Sequence, residues 1–138
     1  MRRLILDTQC LLSAVAAHAQ SRETALARVW QGFRTRELQL VFSEMLLLEA
    51  QRVLDYPSVA RLGISSGQAF STATELLLLG EYHAPLSQFS WPTLTDRKDW
   101  HLFDLLYQSG ADALISRDVQ VLKAGRALKL PVHSLEEL

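Results

Sequence analysis

The sequence predicts a three-layer α/β fold whose parallel sheet carries four to five strands. Three observations predict it. Short, mostly apolar runs at Leu4–Leu6, Leu38–Phe42, Ala111–Ile115 and Leu130–His133 have the length of buried strands. Between them lie stretches whose apolar residues recur at helical spacing, and that alternation implies a parallel sheet covered by helices. Finally, Asp7 directly follows the first run and Asp118 follows the third after Ser116-Arg117. Functional groups of an open parallel sheet gather outside the carboxyl ends of its strands, where both aspartates would fall.

The elements follow in order. After the first strand, Gln9–Ala19 reads as a helix with Leu11, Leu12, Val15 and Ala16 facing inward. Glu23–Phe33 is a second helix, with Leu26, Val29, Trp30 and Phe33 on one side. Leu38–Phe42 is the second strand, and Ser43 caps a helix running to about Leu54. Its stripe is Leu46, Ala50, Val53 and Leu54, with Glu49 on the border; a carboxylate there needs a partner or a task. Tyr56-Pro57 closes that region. Ser65 or Ser66 opens a helix ending near Gly80, with Ala69, Phe70, Ala73, Leu76 and Leu77 available to the core. Tyr82 starts a short strand or extended segment, and Pro85–Thr95 is a loop. Leu102, Trp100, Phe103, Leu106 and Tyr107 make the next helix, ended by Gly110. Val119–Ala124 is a short helix before the last strand.

At 138 residues the chain has the size of a single domain with a full core, and its 49% hydrophobic content fits a globular protein. A net charge of −1 gives no global pull towards nucleic acid and leaves a local basic groove open. The one cysteine, Cys10, makes no internal disulfide, which allows a reducing compartment. Met1-Arg2-Arg3 and Ala17-His18-Ala19 outline a secretory leader, but Asp7, Thr8 and Gln9 interrupt its apolar centre. The expectation is therefore that Met1–Ala19 is kept. No run approaches the ~20 apolar residues of a membrane span.

Four acids stand out as a set: Asp7, Glu49, Asp99 and Asp118. Clustered carboxylates raise one another's pKa unless a cation neutralises them, and hard oxygen ligands select Mg2+ or Mn2+. Three blocks carry a resemblance: Leu6-Asp7-Thr8, Ser43–Leu54 with Glu49 inside, and Asp96–Asp118. In this order and spacing they resemble the PIN-domain ribonucleases, in particular the branch of toxin components of toxin–antitoxin pairs. The resemblance covers nearly the whole chain. It implies metal-dependent hydrolysis of RNA by a bound water, leaving a 5′-phosphate. Asp7, Asp99 and Asp118 would be the metal ligands and Glu49 a ligand or a water-orienting group. An antitoxin protein, a homodimer and a cytoplasmic place are further implications.

Around these acids, Thr8, Gln9, Asp96 and Ser116 are candidates to support the ligands, with Asp112 in a lesser role. Gln9 stands where the resembling family has asparagine; the longer amide can still orient Asp7. Arg97, Lys98 and Arg117 flank the acids and are candidates to grip RNA phosphates. The four histidines show no metal-ligand spacing. Asp104, on the same helix as Asp99, lies outside the set and is expected to be dispensable for cleavage.

Each acid also has a plain structural reading. Asp7 suits a helix N-cap. Asp99 suits a first helical turn, with Asp96 as its cap. Glu49 can pair with Arg52, and Asp118 can open the turn before Val119. Two other classes share the outline. One is a PIN-like module kept for RNA binding or protein interaction, without catalysis. The other is a receiver-type signalling domain, which wants paired acids after the first strand and a lysine after the last. Asp7 has no adjacent acid, and Pro131–His133 offers no lysine.

Overall fold

The computed structural model describes residues 1–84, 91 and 97–138. Its elements are β1 (Arg2–Leu6), α1 (Thr8–Ala19), α2 (Ala25–Arg34), β2 (Leu38–Phe42), α3 (Glu44–Val53), α4 (Pro57–Ala60), α5 (Ser66–Leu79), β3 (Glu81–Tyr82), a 3-10 turn (Arg97–Asp99), α6 (Trp100–Ser109), β4 (Ala113–Ile115), α7 (Val119–Ala127) and β5 (Val132–His133). The five strands form one sheet in the order β3-β2-β1-β4-β5. Every pairing is parallel, with Leu4 opposite both Leu40 and Ala113. Right-handed crossovers send the β1-β2-β3 connections over one face and those through α6 and α7 over the other. The result is the three-layer α/β/α fold that the sequence predicts.

β1 lies at the centre, which explains its composition. A central parallel strand is covered on both faces, so its residues are apolar without alternation. Leu4, Ile5 and Leu6 are all buried, as are Ala113, Leu114 and Ile115 of β4. The chain winds outward from β1 in one direction through β2 and β3, and in the other through β4 and β5. The sheet's switch point therefore lies between the carboxyl ends of β1 and β4.

Local chemistry sets the helix starts. Asp7, Thr24, Ser43 and Asp118 each cap the helix that follows, accepting from the backbone N–H of Cys10, Ala27, Leu46 and Gln120. Ser65 and Gln68 form a capping box at α5. α6 stops at Gly110, whose φ of 63° is left-handed. At Gly125 an added Cβ would stand 2.4 Å from Val132 Cγ2, so a bare backbone lets α7 lie directly on β5. No helix of the described residues is long and apolar enough to cross a membrane.

The structure departs from the sequence reading at several points. The region past Tyr56 is not a simple stop: Pro57 opens the one-turn α4, at a position where its missing N–H costs nothing. Val59 of that turn joins Leu12, Ala50 and Val53 in a small second core. α5 buries only Thr72 and Leu76, while Phe70 and Leu77 are 75% and 63% exposed. Its apolar residues do not gather on one face, so periodicity could not choose the inner face. Tyr107 is exposed where the α6 pattern placed it inward. β4 and β5 begin two residues later than their apolar runs, and α7 continues three residues further, to Ala127. The expected loop Pro85–Thr95 lies outside the described residues, apart from Trp91.

Candidate active site at the sheet switch point

Asp7 is the single residue between β1 and α1 and caps the helix. Its N–H donates to the Ile115 carbonyl, continuing the sheet for one more bond. Its side chain is buried, 8% exposed, and both oxygens are engaged. Oδ1 accepts from Cys10 N at 2.8 Å, and Oδ2 accepts from Ser116 Oγ at 2.5 Å. Ser116 is itself fully buried, and its hydroxyl oxygen accepts from Asp118 N at 3.0 Å. One hydroxyl thus ties the carboxyl end of β1 to that of β4. Asp118 is exposed, with Oδ1 accepting from Gln120 N at 2.8 Å.

Burial pushes the Asp7 carboxyl up from its ordinary value. The Ser116 and Cys10 donors oppose that rise, and the nearby charge of Asp118 adds to it. The same surroundings push the neighbouring Cys10 thiol far up, chiefly through burial, so it is no nucleophile.

Glu49 arrives from α3. Its Oε2 accepts from His101 Nε2 at 2.7 Å, and Arg52 stands 3.9 Å from Oε1. Burial works to raise the Glu49 carboxyl, but the His101 hydrogen bond and charge, Thr8 and Arg52 outweigh it, and the net direction is down. Thr8 Oγ1 lies close enough to contribute there, yet misses hydrogen-bond geometry and is buried without a partner. The contact carries weight in the electrostatics and not as a formed bond.

α6 supplies Asp99 and His101. From sequence it is not derivable that Asp99 reaches the site edge. The topology decides it: α6 connects parallel strands, runs against them, and so starts at their carboxyl ends. Asp99 stands at that start, directly before Trp100. His101 is the residue that sequence reasoning passed over. A lone histidine in an apolar helix gives no spacing signal, and its partner Glu49 is 52 positions away.

The remaining candidates separate clearly. Gln9 is exposed, and the donors to Asp7 are Cys10 N and Ser116 rather than this amide. Asp112 accepts from Arg3 N at 2.8 Å, at the amino end of β4, away from the site. Lys98 and Arg117 are exposed beside the acids, and Arg117 reaches Ser13 Oγ at 3.4 Å. Arg97 opens the 3-10 turn. Asp96 lies outside the described residues. Asp104 is 2% exposed and accepts from Trp91 Nε1 at 2.8 Å, so it is a core residue and a poor neutral control.

Asp7, Thr8, Ser116, Asp118 and Glu49 with His101 are thus brought to one edge. Among the described residues no three His, Cys, Asp or Glu side chains form a ready metal cage. The donor chemistry still fits a hard cation. Asp7 is a desolvated carboxylate beside a second acid, a pairing that a divalent ion would relieve.

These features define a class: a doubly wound α/β protein with acidic side chains at its switch point. The chain belongs to the PIN-domain family, whose sequence model matches residues 3–120. PIN domains are generally nucleases. No curated protein matches the chain.

Proposed function

We propose that this chain is an endoribonuclease that hydrolyses RNA phosphodiester bonds with Mg2+ or Mn2+, and that it acts in the cytoplasm as the toxin of a toxin–antitoxin pair. The observation that carries the catalytic part is the Ser116 hydroxyl, which donates to the Asp7 carboxylate and accepts from the Asp118 backbone N–H across the switch point of a PIN-domain sheet. Asp7, Asp99 and Asp118 would hold the ion, with Glu49 as a further ligand or as the group that orients water. When bound, the ion supplies charge neutralisation at the phosphate and an acidified water. Ser116 keeps the Asp7 carboxylate aimed by donating to Oδ2. Arg97, Lys98 and Arg117 flank the acids in the sequence and would meet RNA phosphates in this reading. The antitoxin partner and a homodimer are part of this reading through family resemblance.

The test is metal-supplemented cleavage of a mixed RNA pool by wild type and by Asp7→Asn. Asparagine remains a good N-cap but loses the anionic oxygen. Wild type should cleave, and folded Asp7→Asn should not. Equal rates would sink the mechanism. A folded wild type that neither binds Mn2+ nor cleaves would favour a silent PIN-like binding module.

A further inference from the structure

Glu49 and His101 come from different layers. Glu49 lies on α3, in the connection from β2 to β3, and His101 lies in the first turn of α6, which leads to β4. Their side chains meet across the carboxyl edge at 2.7 Å, and both are well covered, 19% and 11% exposed. A carboxylate only accepts, so Nε2 of the ring carries the hydrogen.

Two further atoms give this contact its meaning. The described residues contain three buried side-chain polar atoms without a hydrogen-bond partner, among them Thr8 Oγ1 and His101 Nδ1. Both belong to side chains that face Glu49. A buried polar atom without a partner costs free energy and calls for an explanation. The His101 ring is held where its Nδ1 goes unsatisfied and only its Nε2 is engaged. That arrangement serves the Glu49 carboxylate rather than the histidine. Without it, Glu49 has a long side chain on a helix surface and a rival partner in Arg52, which is 48% exposed and would draw it outward.

We infer that His101 is a positioning residue for Glu49: its Nε2–H fixes the Glu49 carboxylate beside Thr8, at the sheet edge that also carries Asp7 and Asp118. The inference rests on the nuclease reading, in which Glu49 works at that edge. Groups that orient a ligand or base typically change metal affinity or activity by about 10–100-fold when removed.

The experiment compares wild type, His101→Ala, His101→Gln and Asp7→Asn by Mn2+ titration calorimetry and by RNA cleavage kinetics, with circular dichroism melting to verify folding. His101→Ala should weaken Mn2+ binding or lower kcat by about tenfold or more, with KM changed by less than about threefold. His101→Gln, whose side-chain N–H can meet the same oxygen, should recover most of that loss. A purely structural role predicts instead that alanine and glutamine lose function in step with stability, and that result overturns the inference. Wild-type affinity and rate in His101→Ala, alongside loss in Asp7→Asn, would overturn it while leaving the nuclease reading intact. Wild-type Mn2+ affinity in Asp7→Asn would overturn both. If His101→Ala does not fold, 15N spectra of the His101 ring in wild type and Glu49→Gln decide: the Nε2–H resonance must move, and an unmoved resonance overturns the inference.

Discussion

Two regions of this molecule gather acidic side chains, and they handle charge in opposite ways. One is the network around Arg3 at the start of β1. Arg3 Nε donates to Glu81 Oε1 at 2.9 Å, and its other nitrogens reach Glu81 Oε2 and the carbonyls of Ser109 and Gly110. His83 adds a 2.5 Å contact to the same carboxylate. Arg3 hydrogen bonding pulls the Glu81 carboxyl down to about 2. The other region is the switch point, where Asp7 is met by the Ser116 hydroxyl and by Cys10, with Asp118 nearby, and its carboxyl is pushed up by burial. Glu81 has its counter-charge in Arg3, so that network is glue between β1, β3 and the end of α6. At the switch point the hydrogen bonds to the Asp7 carboxyl come from neutral donors, Ser116 Oγ and Cys10 N. In the nuclease reading, this raised carboxyl beside a second acid is where a cation would be received.

The sharpest way to break this comparison is activity. Asp7→Asn and Asp118→Asn should each lower RNA cleavage by at least about a hundredfold, since a lost ligand misplaces the reacting groups. Glu81→Gln should cleave within about threefold of wild type and lose on the order of 1 kcal/mol of stability. If Glu81→Gln proved as inactive as Asp7→Asn, the two regions would not differ in kind.

Next in size is a thermal shift. At about a hundred times its dissociation constant, Mn2+ should raise Tm by roughly 5–10 °C. The shift should persist in Glu81→Gln and vanish in Asp118→Asn. No shift in wild type at millimolar Mn2+ would remove the cation from the account.

A smaller effect separates the regions by the sign of their pH dependence, read from urea midpoints between pH 2 and 7 without metal. Glu81 falls from an ordinary 4.5 to about 2, so its stabilisation is present above pH 4.5 and is lost as pH falls towards 2. Asp7 is raised from 3.8, so its contribution is favourable below that value and is lost as pH rises through the folded pKa. Glu81→Gln should therefore flatten the acid limb. Asp7→Asn should be more stable than wild type at neutral pH, with the advantage gone below pH 3.8. Parallel curves for the two variants would contradict the contrast. The smallest expected effect is that of Gln9→Asn. Because Gln9 is exposed and Asp7 has other donors, cleavage should stay within about twofold of wild type.

Much of the architecture was legible because it is written locally. Three successive apolar residues in β1 report burial on both sheet faces, and Ser43, Ser65 and Asp118 announce helix starts through their own hydrogen-bonding chemistry. The acids after β1 and β4 were legible for the same reason, since a strand followed at once by a carboxylate defines an edge. What resisted was the choice among equivalent options. The apolar residues of α5 do not gather on one face, so its inner face depends on which neighbours reach it.

By itself, the sequence determined the apolar runs of β1, β2, β4 and β5, most of the helices and the placing of Asp7, Ser116 and Asp118 at strand ends, because these follow from short-range periodicity and side-chain chemistry. Only the tertiary structure decided that β1 and β4 are neighbours, joined through one serine hydroxyl. It also decided that Glu49 meets His101 and that Asp104 is buried against Trp91. Those pairings span long stretches of chain, and no local pattern encodes a contact whose two halves are brought together only by the sheet.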